Sequence, residues 1–343
     1  MPADATRGRF EELRFESEAL RGNPLGDPHE RPLWVYLPPG YEDEPERRYP
    51  SVYVIQGMTG RVEAWFNSRP FDATYPEMID RLFSAEGAPP AIVVLVDAFT
   101  SVGGSQFIDS PGVGRYHTYL CDELVPFVDG RYRTLAAREH RGIQGKSSGG
   151  YGAMINPMLR PDLWGGLATH AGDALFECCY QPELPATVRA LRAYGGSWER
   201  FWEDFRERAR TQRTLANHDD PILVNTYAMA ACYSANEDGT IDFPFEAETG
   251  RLVPEVWERW LEWDPVRRAP SAAEALRTMR AIWIDSGTSD EYSLDLGATA
   301  FRNALREAGV PDEVVRFELF DGKHGGIVWR YPLSLRFLAE RLS

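Results

Sequence analysis

The apolar positions fall into two kinds of pattern, and the alternation between them organises the chain. Short continuous runs such as SVYVIQ (51–56), AIVVLVDA (91–98), GLATHA (166–171) and AIWIDSG (281–287) read as strands covered on both faces. ELRFESEAL (12–20) and RPLWVYLP (31–38) alternate apolar with polar residues and suit an antiparallel edge. REHRGIQG (138–145) and VVRFELF (314–320) complete a set of eight strands. Between them, helical spacing appears at 74–84, 118–130, 147–159, 296–309 and 328–342. Gly309 followed by Pro311 supplies a stop for the fourth of these helices. Strands alternating with helices predict an α/β protein with a mostly parallel, doubly wound sheet.

One interval breaks the rhythm. Residues 174–265 show several helical stretches, including one over 197–218 and another at VPEVWERWLEW, and no apolar strand run. They predict a helical insertion between two strands of one sheet. It holds five of the ten tryptophans, Trp198, Trp202, Trp257, Trp260 and Trp263. The last three recur at helical spacing and are expected in the core, the alternative being an aromatic or sugar-binding pocket.

Composition narrows the function. At 343 residues with 43% hydrophobic and 26% charged residues, the chain can bury a large core, and no apolar run reaches the length of a membrane span. A net charge of −15 disfavours nucleic acid and anionic membranes as partners. The start shows no basic segment leading into an apolar core, so the expected location is cytoplasmic. Four cysteines, Cys121, Cys178, Cys179 and Cys232, lack metal-ligand spacing, and the adjacent pair is expected to be buried thiols. SANEDGTIDFPFE (234–246) echoes a calcium loop. With Gly239 at its sixth position, Ser234 and Phe245 occupy places that need carboxylates, so a turn is expected and no metal.

The stretch GIQGKSSGGYGA (142–153) carries the chemistry. A phosphate-cradling loop needs a glycine five residues before Gly145, and His140 stands there, so the nucleotide reading fails. The other parse is G-x-S-x-G, with Gly145, Ser147 and Gly149 between a predicted strand and a predicted helix. That context suits a strained strand-to-helix turn presenting a nucleophilic serine beside a helix N-terminus. Such a serine needs a base and an orienting acid in the chain order Ser, Asp/Glu, His. His170, His218 and His324 lie downstream. His170 just after a strand is read as structural or supporting, and His218 as a loop or cap residue. His324, flanked by glycines in FDGKHGG after the last strand, is the expected base. Asp290, just past AIWIDSG, is the expected acid, with Asp285 and Glu291 as rivals. The backbone N–H groups of Ser148 and Met58 are the expected oxyanion donors, with Thr59 as the alternative to Met58. Gln56, Trp65, Lys146, Asp173 and Tyr292 are candidate pocket residues.

On VIQGMTG, GGSQFIDSPGVGRYHTYLCDELVPFVDGRYRT, GIQGKSSGGYGA, GTSDEYSLDLGATAFRNAL and FDGKHGG, the chain resembles the putative esterase family of α/β-hydrolases. That family includes S-formylglutathione hydrolases, enterochelin esterases and mycolyltransferases. The resemblance covers the sheet core from about residue 30 onward, excluding the insertion. It implies one α/β-hydrolase domain over 1–343 with a cap-like insertion at 174–265. It further implies Ser147, Asp290 and His324 as the triad, Met58 and Ser148 as oxyanion donors, a small-molecule ester substrate and no cofactor. Gln56 stands where the family often has histidine, and Lys146 and Ser148 replace bulkier neighbours, which bears on the substrate. Acyl transfer by the same triad, a binding protein with a relict site, and a homo-oligomer stay open.

Overall fold

The computed structural model describes residues 7–211, 215 and 217–343. Among the described residues ten strands form: β1 (Arg9–Glu16), β2 (Glu30–Leu37), β3 (Ser51–Ile55), β4 (Ile92–Val96), β5 (Asp109–Ser110), β6 (Gly114–Arg115), β7 (Arg141–Ser147), β8 (Gly166–Gly172), β9 (Ala281–Gly287) and β10 (Val315–Phe320). Eight of them make one sheet in the order β1-β2-β4-β3-β7-β8-β9-β10. The β1–β2 and β2–β4 pairs are antiparallel, and every later neighbour is parallel. β3, β4, β8 and β9 are buried at every position, as their unbroken apolar runs require. β5 and β6 pair as a small separate hairpin that the pattern of the chain did not announce.

Helices cover both faces. On one, Tyr75–Ser84 and Tyr331–Leu342 place Tyr75, Ile79, Leu82, Leu335 and Leu338 against Val52, Val54 and Leu95. On the other, Val125–Arg131, Ser148–Leu159 and Leu294–Glu307 join the insertion in a larger apolar cluster.

Several expected boundaries move. β1 pairs from Arg9 to Glu16 rather than over 12–20, because the chain turns away where Ser17 Oγ and the Ala19 N–H bond the Glu123 carboxylate and Leu20 enters the core. The strand expected at 138 begins at Arg141, after a single tight turn. Between β8 and β9 the helices run from Phe176 to Arg277, past the expected end at 265. Part of the helix expected over 197–218, residues 212–214 and 216, lies outside the described residues; Trp198–Arg210 is helical and a new helix begins at Asp220. Phe201, Trp202, Leu223 and Trp260 of this insertion belong to the same apolar cluster as Tyr53, Ile55 and Ile143 of the sheet. Trp257 and Trp260 are buried, while Trp263 is half-buried against that cluster. Trp260 Nε1 donates to Ser234 Oγ at 2.8 Å, which satisfies its buried donor. The 234–246 segment is a turn in which Asp238 accepts from the Thr240 backbone and Asp242 pairs with Arg259 at 2.8 Å. Cys179 is buried and Cys178 only half-buried, so the adjacent thiols differ in environment.

Candidate active site

β7 ends in the turn that the glycine spacing requires. Ser147 has φ 57° and ψ −128°, a conformation L-residues rarely adopt and one that costs roughly 1–3 kcal/mol. A Cβ at Gly145 would stand 2.4 Å from the Gly149 carbonyl carbon, and a Cβ at Gly149 would stand 2.6 Å from Ile55 O. Neither position therefore admits a side chain while Ser147 keeps its place. Directly after the serine, Ser148 opens the helix Ser148–Leu159, whose N-terminus faces the same spot.

His324 and Asp290 arrive from the C-terminal ends of β10 and β9. His324 Nε2 lies 3.1 Å from Ser147 Oγ, and its Nδ1 lies 2.8 Å from Asp290 Oδ2. The Asp290 side chain is fully buried and its Oδ1 accepts the Tyr292 N–H at 2.9 Å, so both oxygens are held. Glu291 takes the His324 backbone N–H at 2.9 Å rather than the ring. The Tyr292 ring packs edge-on to the imidazole, with centroids 4.9 Å apart. Ser147, Asp290 and His324 are thus brought together.

Asp285 serves a different network. It accepts from His170 Nδ1 at 2.6 Å, Trp283 Nε1 at 2.7 Å and Arg330 Nε at 2.9 Å. His170 Nε2 lies 2.8 Å from Ser334 Oγ. The sequence of contacts Ser334–His170–Asp285 matches triad distances, yet all three residues are sealed from solvent, so no substrate can reach them. Burial alone would favour the protonated acid, but His170, Trp283 and Arg330 outweigh it and hold Asp285 below its ordinary range. His170 is structural, locking the last helix to β8 and β9.

The loop after β3 lies against the elbow. A Cβ at Gly57 would meet Lys146 O at 2.8 Å and Ser147 Cβ at 3.3 Å. The Thr59 N–H is already donated to Gly103 O at 2.7 Å, which leaves the Met58 N–H as the candidate donor from this loop, opposite Ser148. Gln56 is drawn into the loop, donating from Nε2 to Arg61 O at 3.0 Å. Trp65 departs from its expected place in the pocket. It is buried between Tyr75 and Tyr331, with ring centroids at 4.5 and 5.0 Å, because the turn containing it folds onto the face covered by the helices Tyr75–Ser84 and Tyr331–Leu342. Lys146 is half-buried beside the serine. Burial pulls its pKa down, while Asp290, Asp173 and Glu291 attract its charge. One lysine among three carboxylates is a poor receptor for an anionic substrate.

Asp173 follows β8, whose Gly172 pairs with Ser147. Its Oδ2 accepts from Tyr180 OH at 2.8 Å, Ser148 Oγ at 3.2 Å and Gln106 Nε2 at 3.2 Å. Gln106 Nε2 also reaches Tyr233 OH at 2.7 Å. Sequence reasoning missed Gln106, Tyr180 and Tyr233. They come from three separate segments and no local motif marks them.

Sheet order, elbow and the Ser–His–Asp arrangement define an α/β-hydrolase. Within that class, the family described as Putative esterase matches residues 28–335, and the chain belongs to it. Among curated relatives, an endo-1,4-beta-xylanase/feruloyl esterase of Xylanibacter ruminicola is 26% identical over 192 residues, 55% of this chain and 24% of that protein. An uncharacterized protein of Corynebacterium glutamicum is 25% identical over 172 residues, 50% of this chain and 38% of that protein. The chain thus matches well under half the length of these relatives. Among solved structures, a ferulic acid esterase superposes with TM-score 0.62 at 20% identity, covering 97% of this chain and 99% of that one. The S-formylglutathione hydrolase from Agrobacterium tumefaciens gives 0.57 at 16% identity, covering 99% and 97%. At these identities the structures speak for the fold. Among the described residues, no helix is long and apolar enough to cross a membrane.

Proposed function

We propose that this chain hydrolyses carboxylic esters through an acyl-enzyme on Ser147. The observation that carries the reading is the unbroken contact line Ser147 Oγ–His324 Nε2 at 3.1 Å and His324 Nδ1–Asp290 Oδ2 at 2.8 Å, at the mouth of a strained elbow. In this mechanism His324 removes the Ser147 proton as the oxygen attacks the ester carbonyl carbon. The carbonyl oxygen becomes an oxyanion facing the Met58 and Ser148 N–H groups. As the tetrahedral species collapses, the carbon–alkoxy bond breaks and the imidazolium returns its proton to the leaving alcohol. Water then attacks the acyl-enzyme with His324 again as base, releasing the acid and restoring the serine. Asp290, with one oxygen on His324 and the other on the Tyr292 N–H, keeps Nδ1 protonated and Nε2 free to accept.

Family membership and the hydrolase fold support the same reading. The test is Ser147→Ala assayed on a short p-nitrophenyl ester, together with labelling by a fluorophosphonate. Turnover is expected to fall by about six orders of magnitude, with the adduct lost. A variant that turns over normally, or a wild-type protein unlabelled at Ser147, overturns the proposal.

A further inference from the structure

The Asp173 carboxyl is deeply buried beside the nucleophile, and the triad does not use it. Its two oxygens are unequal. Oδ2 is filled by the hydroxyls of Ser148 and Tyr180 and the amide of Gln106. Oδ1 takes no hydrogen bond from the described residues, and it is not among the atoms sealed from solvent. The surroundings are otherwise closed, with Tyr180 and Tyr233 buried and Gln106 fully so. Gln106 Oε1 is sealed there without a partner. Asp173 directly follows Gly172, which pairs with Ser147, and its Oδ2 holds the hydroxyl of Ser148, so the carboxyl stands next to the nucleophile.

We propose that Asp173 is a specificity-determining residue whose Oδ1 accepts a hydrogen bond from a hydroxyl group of the substrate, so that the preferred ester carries a hydroxyl near its scissile bond. The proposal rests on the Ser147 reading and names the substrate class of that same site. Oδ1 is open to solvent in the free protein, so a bound substrate that covers it without supplying a donor leaves the carboxylate unpaired, whereas a substrate hydroxyl replaces the bond to water. Burial raises the pKa of Asp173, while the hydrogen bonds from Tyr180, Gln106 and Ser148 act in the opposite direction. A hydroxyl fits better than an ammonium, because Oδ2 is already held by neutral donors, two hydroxyls and an amide, and a neutral group enters this buried space without the cost of desolvating a second charge. Sites built to bond a substrate hydroxyl discriminate strongly against the analogue that lacks it, since the protein group is then left unpaired.

The experiment compares matched esters by pH-stat on the full chain: ethyl hydroxybutyrate against ethyl butyrate for the acyl side, glycerol monobutyrate against propyl butyrate for the alcohol side. Wild type is expected to prefer the hydroxylated member of one pair by about tenfold or more in kcat/KM, and the pair that shows it tells which side of the ester Asp173 faces. Asp173→Asn should erase most of that preference whatever it does to absolute rates. Tyr180→Phe, a gentler change that removes one donor to Oδ2, should weaken the preference and serves if the first variant does not fold. Wild-type rates within about twofold in both pairs, or a preference that survives both substitutions, overturn the proposal. Hydrolysis of neither member of either pair would instead bring down the Ser147 reading on which it stands.

Discussion

Replacing Asp290 by asparagine isolates what the carboxylate does, because size is conserved and only hydrogen-bond polarity changes. Asp290 accepts twice, from His324 Nδ1 at 2.8 Å and from the Tyr292 N–H at 2.9 Å. Asparagine has a single acceptor oxygen, so one contact must become donor against donor. If the oxygen faces Tyr292, the amide donates to Nδ1, the proton moves to Nε2, and His324 can no longer take the Ser147 proton. If the oxygen faces His324, a buried N–H loses its partner at a cost of about 1–3 kcal/mol, and the imidazolium loses its counter-charge. The first arrangement sets the expected magnitude, a fall in kcat of about 10⁴, the loss seen when a triad histidine is held in the wrong tautomer. In the second, only the lost counter-charge bears on kcat, and since about 1.4 kcal/mol of imidazolium stabilisation is a factor of ten, the loss there is at least about tenfold. Steady-state kinetics on a p-nitrophenyl ester measures the effect, with a thermal melt to show that the variant folds. A folded Asp290→Asn protein within about fivefold of wild-type kcat would refute the assignment of Asp290 as the orienting acid, because neither arrangement permits so small a loss.

Gly149→Ala should lower stability by about 1–3 kcal/mol, read from the urea midpoint, and depress kcat as well, because the new methyl meets the end of β3 at Ile55 and Gln56; unchanged values would mean the elbow is looser than its geometry. Arg330→Met should cost about 3 kcal/mol by urea unfolding, since it strips Asp285 and Glu318 of their shared cation while Asp285 stays buried; a loss under about 1 kcal/mol would show that His170 and Trp283 suffice. Glu183 has its pKa raised to about 7 by burial, with its Asn225 hydrogen bond opposing, so the stability it contributes is full below its ordinary value of 4.5 and is lost as pH rises to about 7. Glu183→Gln should therefore raise the melting temperature at pH 8, by an increment worth at most about 3 kcal/mol, and the gap should close toward about pH 4. A variant less stable than wild type at pH 8 would reverse that sign.

Much of the site was legible because its logic is local. The glycines two residues either side of Ser147 are demanded by contacts within a few residues of the turn and with the neighbouring strand end, and a strand before and a helix after them are visible as patterns. His324 stood out through its place after the last apolar strand and between glycines. The choice of Asp290 over Asp285 was harder. Both lie near the end of β9, and only the direction of each side chain, one toward His324 and the other toward His170 and Arg330, separates them. Trp65 illustrates the opposite failure, since nearness in sequence to the Met58 loop says nothing about which face of the sheet its ring will enter.

From its order of residues alone, this protein determined which segments are strands buried on both faces, where the elbow turns, and which residue types stand at the strand ends. Those properties arise from backbone sterics and from the period of apolar positions, which act over a few residues. Tertiary structure decided the partners: a bond between His324 and Ser147 spans 177 positions, and Gln106 meets Tyr233 across 127. The order of strands in the sheet sets such pairings, and the sequence period is blind to it, because any parallel neighbour would bury the same apolar runs equally well.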